Sequence, residues 1–165
     1  STQQKECLGA PTGESALFDG REVSNQMLEL VAEYLKSLPP PAPQSYDRGS
    51  ALFSKSGCEA CHTPVLKTRH GSEIRAYSDL LLHDMGPDLD DGVGEPGVAS
   101  SEWRTASLTN SYPSGPERRY LHDGSANTIA EAIAKHGGEA SQSRSAFDKL
   151  SNQERQNLID FVMGL

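Results

Sequence analysis

The segment Cys58-Glu59-Ala60-Cys61-His62 constrains this chain more than any other feature. Two thiols one helical turn apart can each form a thioether with a porphyrin vinyl group, and the adjacent imidazole then lies under the iron. The motif predicts one covalent haem c, with Cys58 and Cys61 as tethers and His62 as an iron ligand. Two other chemistries use cysteines at this spacing. A zinc site needs four ligands, and only Cys7 remains to add sulfur. A thioredoxin-like redox pair opens a helix after a strand, and no strand-like alternation precedes Ser56 and Gly57. Both fit the surrounding sequence less well than haem does.

Composition agrees. Only 35% of the 165 residues are hydrophobic and 6% aromatic, which leaves a thin core unless a buried porphyrin adds apolar volume. The net charge is −8 and there is no basic tract, so neither nucleic acid nor an anionic membrane surface is an expected partner. No stretch approaches the ~18 apolar residues of a membrane span. No signal peptide is present and the first residue is Ser1, so a processed form or a fragment is expected. Covalent haem attachment takes place outside the cytoplasm, which points to an exported, periplasmic protein. Cys7 is left as a lone cysteine.

The organisation is helical. Residues 24–38 read as an amphipathic helix with Ser24 as N-cap and Met27, Leu30, Val31, Tyr34 and Leu35 on one face. Pro39, Pro40, Pro41 and Pro43 end it and give a stiff linker. A second helix is predicted over 46–56, with Leu52 and Phe53 facing inward, and it delivers the chain to the cysteine motif. Residues 86–97 and 111–119 are loops by their glycines and prolines. A helix is predicted from Thr128, with a Thr128/Glu131 capping box, to Gly137 and Gly138, and a last one from Ser151 to about Met163 with Glu154 completing its box. No strand-like alternation of any length occurs. The expected fold class is mainly α, with long loops.

The segments 24–38 and 151–165 share a register without gaps. Both open Ser-Asn-Gln, and Val31 pairs with Leu158, Glu33 with Asp160, Tyr34 with Phe161 and Leu38 with Leu165. Each then reads as the closing helix of a similar domain. On that reading residues 1–43 are the closing helix of a preceding domain plus a linker, and 44–165 form a complete domain.

The second axial ligand of the iron is less defined. Met85 follows His62 closely for a chain that must cross to the other haem face, whereas His122 and His136 lie far enough along to wrap a porphyrin. Met163 belongs to the core face of the last helix. His70 and His83 read as loop or surface residues, with His83 and Asp84 a possible hydrogen-bonded pair. Asp88, Asp90 and Asp91 before Gly92 resemble part of a calcium loop, but the twelfth position is Ala99 rather than Glu, so a solvated loop is expected.

Read in order, CEACHTP, YSDLLLHDMGPDLDDG, EWRTASL, YLHDGSANTIAEAI and KHGGEA run from residue 58 to residue 140. Together they closely resemble the C-terminal haem domain of the di-haem oxidoreductase family, which is similar to bacterial di-haem cytochrome c peroxidases. The resemblance spans roughly residues 22–165. It implies a cytochrome c-like helical domain around one covalent haem, working by outer-sphere electron transfer with a redox partner protein or a second haem domain. It also implies that the helix after the HDG segment carries the distal ligand near its end. Here that residue is His136, with Met85 the runner-up and His122 demoted. Arg104 would pair with a haem propionate through two parallel hydrogen bonds or form a surface ion pair with Glu102 or Glu117, and Trp103 would pack on the porphyrin or be buried in the core. Two departures stand out. Ala106-Ser107-Leu108-Thr109-Asn110 replaces the family's Pro-Pro-Leu-Trp-Gly, and there is a single CxxCH where the family has two haem domains. A peroxidase-type role would then require the other domain, and a haem sensor or assembly module is a further alternative.

Overall fold

A computed structural model describes residues 9–38, 47–109 and 119–165. The predicted loop at 111–119 and Cys7 therefore fall outside the described residues, Arg119 apart. The chain forms two compact units, Ser1–Pro40 and Pro41–Leu165.

In the first unit a single 3-10 turn, Ala16–Phe18, is capped by Ser15, and helix α1 follows over Asn25–Ser37. The Ser24 hydroxyl accepts the amide of Met27 at 3.1 Å, satisfying one of the otherwise orphaned first-turn donors. The apolar stripe Met27, Leu30, Val31, Tyr34 and Leu35 is where helical periodicity puts it, yet its members are 48–64% exposed.

The second unit is mainly α. Helix α2 spans Asp47–Lys55, α3 Ile129–Ala134, α4 Ser141–Asp148 and α5 Asn152–Met163. Helix α4 was not anticipated, since its polar sequence SQSRSAFD buries only Phe147. Both halves of the Ser151/Glu154 capping box form. At Thr128 only one half does. Its hydroxyl accepts the Glu131 amide at 3.1 Å, but the Glu131 carboxylate reaches one residue further back, to the amide of Asn127 at 2.7 Å.

Two short antiparallel ladders interrupt the loops. Strand β1 (Leu66–Lys67) pairs with β2 (Glu73–Ile74), and β3 (Leu82–Asp84) pairs with β4 (Glu102–Arg104), with His83 opposite Trp103. Strands of two or three residues are too short to show a period of two in sequence.

Helices α2 and α5 cross at close quarters. A Cβ on Gly49 would lie 2.3 Å from both the Asn157 carbonyl oxygen and the Phe161 Cβ, so only glycine allows this approach. The core assembled around the crossing is Phe53, Ile129, Phe147, Leu158, Phe161 and Val162, each contributing roughly 1.5–3 kcal/mol by burial. Phe53, Tyr77 and Phe161 meet edge to face, with centroids 5.4–6.0 Å apart, the arrangement that aligns ring edges with ring faces.

Candidate haem site

The cysteine motif follows directly from α2. Gly57 turns the chain at φ 80°, and Cys58–Ala60 form one 3-10 turn. The His62 amide donates to the Cys58 carbonyl at 2.9 Å, so the imidazole follows the two thiols by a single turn. Both cysteines are half-buried. Burial pushes the Cys58 thiol up to about 11 and raises that of Cys61. A redox-active cysteine pair needs a lowered thiol pKa, so these shifts disfavour the thioredoxin-like alternative.

His62 and His136 are matched. The Nδ1 of His62 donates to the Tyr77 carbonyl at 3.0 Å, and that of His136 donates to the Ala132 carbonyl at 2.8 Å. Because a carbonyl only accepts, Nδ1 carries the proton in each ring and Nε2 is left with its lone pair. Burial lowers both pKa values, and a charge on His136 would further disfavour one on His62. Two neutral, half-buried imidazoles, each oriented by a carbonyl on Nδ1, are the donor type that ligation of an iron porphyrin requires. With two nearby thiols, the residues present fit that group.

His136 lies just past the end of helix α3, its amide donating to the Ile133 carbonyl at 3.0 Å. Met85 lies on the adjoining segment, half-buried, its carbonyl accepting the Gly137 amide at 3.1 Å. The backbone segments that carry the two distal-ligand candidates therefore adjoin. His122 is exposed and stacks flat on Trp103, with centroids 3.5 Å apart and planes 13° apart. Trp103 is half-buried and donates from its indole nitrogen to the Leu89 carbonyl at 2.7 Å. Arg104 is exposed, with no ion pair among the described residues. In the acidic loop, Asp90 and Asp91 accept the amides of Gly92 and Val93 at 2.9 and 2.8 Å, closing local turns.

Two residues not singled out in the sequence, Asp79 and Glu139, join this site through His83. His83 bonds Asp79 and Glu139, each at 2.9 Å, rather than the expected Asp84. Donor atoms of Cys61, Asp79 and His83 lie within 4.8 Å of one another, so they could also hold a metal ion if Cys61 kept its thiol. Long-range pairs of this kind leave no spacing signal in the sequence; the nearest hint was a histidine inside an acid-rich segment.

Among the described residues no helix is long and apolar enough to cross a membrane. Residues 12–165 match the family model described as "Di-haem oxidoreductase, putative peroxidase". No curated protein and no solved structure matches the chain.

Proposed function

The chain belongs to the di-haem oxidoreductase family, and from that premise we propose that it is a c-type cytochrome module for outer-sphere electron transfer. Cys58 and Cys61 would tether one haem, and His62 and His136 would ligate its iron. The observation that carries this reading is the pair of half-buried imidazoles with lowered pKa values, each held by a carbonyl on Nδ1. When bound, the haem supplies a one-electron couple. The side chains do the rest. Imidazoles already held by the Tyr77 and Ala132 carbonyls would need little rearrangement when the charge changes, and two nitrogen donors would favour a lower potential than a His/Met pair. A pyridine haemochrome spectrum with intact mass after denaturation tests the tethering. One haem retained on the polypeptide supports it, and a mass without porphyrin overturns it.

The repeated helix supports a larger assembly. On α5, Leu158, Phe161 and Val162 are buried against α2. The residues in register on α1, Val31, Tyr34 and Leu35, are exposed. This asymmetry supports residues 1–43 as the end of a preceding haem domain and 44–165 as the cytochrome c-like domain, with that other domain or a redox protein as electron partner. The site of haem attachment supports a periplasmic location, which fractionation of the native host would test.

The family description favours one second reading, a peroxidase-type oxidoreductase active only with another haem domain. Ready binding of carbon monoxide to the reduced protein would support it, because that requires an open or labile axial position.

A further inference from the structure

The imidazole of His83 ties its own segment, 79–84, to Glu139, 56 residues further along the chain. Its Nε2 is 2.9 Å from Asp79 Oδ2, and its Nδ1 is 2.9 Å from Glu139 Oε2. Its side chain is only 16% exposed. The Asp79 amide donates to the Cys61 carbonyl at 2.8 Å, which anchors one end of the bridge to the cysteine motif. The other carboxylate oxygen of Glu139 accepts the Asp84 amide at 3.1 Å, and Glu139 closely follows His136. One imidazole therefore spans from the segment holding His62 to the segment holding His136.

The loop between His136 and Glu139 lies backbone to backbone on residues 84–86. A Cβ on Gly137 would be 2.7 Å from the Met85 carbonyl oxygen, and one on Gly138 would be 2.1 Å from that of Asp84. A Cβ on Gly86 would be 2.7 Å from the Gly138 nitrogen. No side chain can enter this contact. A seat of three glycines offers little apolar burial of its own, so its hold depends on polar ties: the Gly137 amide to Met85, and the carboxylate of Glu139 to His83 and Asp84.

We propose that His83 is a positioning residue that, by bridging Asp79 and Glu139, keeps the loop after His136 seated and so keeps His136 in place as the distal side chain. The inference rests on the reading of His136 as an iron ligand. It assigns control of axial-ligand lability to a residue whose own bonds run to Asp79 and Glu139 rather than to His62 or His136. A loosened bridge would let His136 withdraw with its loop and open the iron to a small exogenous ligand.

The test uses haem-loaded protein and the variants His83→Gln, Glu139→Gln and His136→Ala. Two readouts are taken, carbon monoxide binding to the reduced form and the midpoint potential. His136→Ala comes first, because it tests the ligand reading alone; if it leaves the ferric spectrum and carbon monoxide binding unchanged, that reading fails. If His136→Ala opens the site, His83→Gln and Glu139→Gln should each raise apparent carbon monoxide affinity by ~10-fold or more, since affinity scales with the fraction of molecules whose site is open. Both should also shift the potential in the same direction. Glu139→Gln keeps the proposal testable if His83→Gln does not fold. An open site in His136→Ala, with wild-type carbon monoxide affinity and potential in both bridge variants, would overturn it, even if those variants unfold at lower temperature.

Discussion

The Nδ1 of His62 donates to the carbonyl of Tyr77 at 3.0 Å, and Tyr77 holds that carbonyl in place with a left-handed backbone, φ 45°. Such a conformation costs a non-glycine residue of order 1–3 kcal/mol and persists only where surrounding packing enforces it. Here the enforcing contacts are the edge-to-face rings of Phe53 and Phe161, both 6.0 Å from Tyr77. Phe161→Ala removes one of these rings and leaves a cavity in the core. The expected loss is roughly 3–5 kcal/mol, measured from urea unfolding monitored by circular dichroism.

Replacing His136 by Met tests the ligand pair directly. If His136 is the distal ligand, His136→Met introduces a sulfur-to-iron band in the far red of the oxidised spectrum and raises the midpoint potential, because thioether stabilises ferric iron less than imidazole does. Wild-type protein should lack that band. Its presence in the wild type would instead place Met85 on the iron; the Met85 carbonyl accepts the amide of Gly137, the residue after His136.

The His83 bridge also has a pH signature. Hydrogen bonds to Glu139 and then Asp79 raise the His83 pKa. Burial pushes Asp79 up, but bonds from the Leu81 amide and His83 outweigh it and leave Asp79 below its usual range; the His83 bond, then the Asp84 amide, lowers Glu139. A raised histidine contributes stability that is complete below its ordinary value of about 6.5 and is lost as pH rises through the raised one. Depressed carboxylates contribute above their ordinary range and lose that contribution as pH falls through their lowered values. The stability difference between wild type and His83→Gln should therefore be largest between about pH 4.5 and 6.5 and shrink on both sides. Urea midpoints measured from pH 4 to 9 check this, and a difference that stays constant across the alkaline limb would count against the bridge.

The parts of this molecule legible in its sequence were those encoded locally. Ser24 and Ser151 announced their helices because an N-cap and its partner lie within one turn. The cysteine motif was legible for the same reason, its geometry being set by a single turn from Cys58 to His62. Helix α4 escaped because its polar face hides the one buried residue, Phe147. The bridge of Asp79, His83 and Glu139 escaped because it closes over a span of 56 residues. Nothing in the neighbours of His83 distinguishes Asp84, which it does not bond, from Asp79, which it does. The exposed stripe of α1 shows the converse: periodicity marked the face correctly but carried no information about what it meets.

The crossing of α2 and α5 yields the last expectation. Gly49 lies under Asn157 and Phe161 with no room for a methyl group, its Cβ position 2.3 Å from an oxygen and a carbon. The carbonyl of Asn157 belongs to a helix whose backbone cannot yield locally, so the helices must separate as a whole. Gly49→Ala gains helix propensity of about 1 kcal/mol, since alanine is the better helix former. The forced separation costs roughly 1–3 kcal/mol in overpacking and exceeds that gain wherever the backbone gives least. The net expectation is destabilisation, visible as a lower urea midpoint. It should be accompanied by weaker protection of the α5 amides in hydrogen exchange, because Leu158, Phe161 and Val162 lose their seat together. If Gly49→Ala instead raises the midpoint, the two helices are not held at the approach that places Phe161 behind Tyr77.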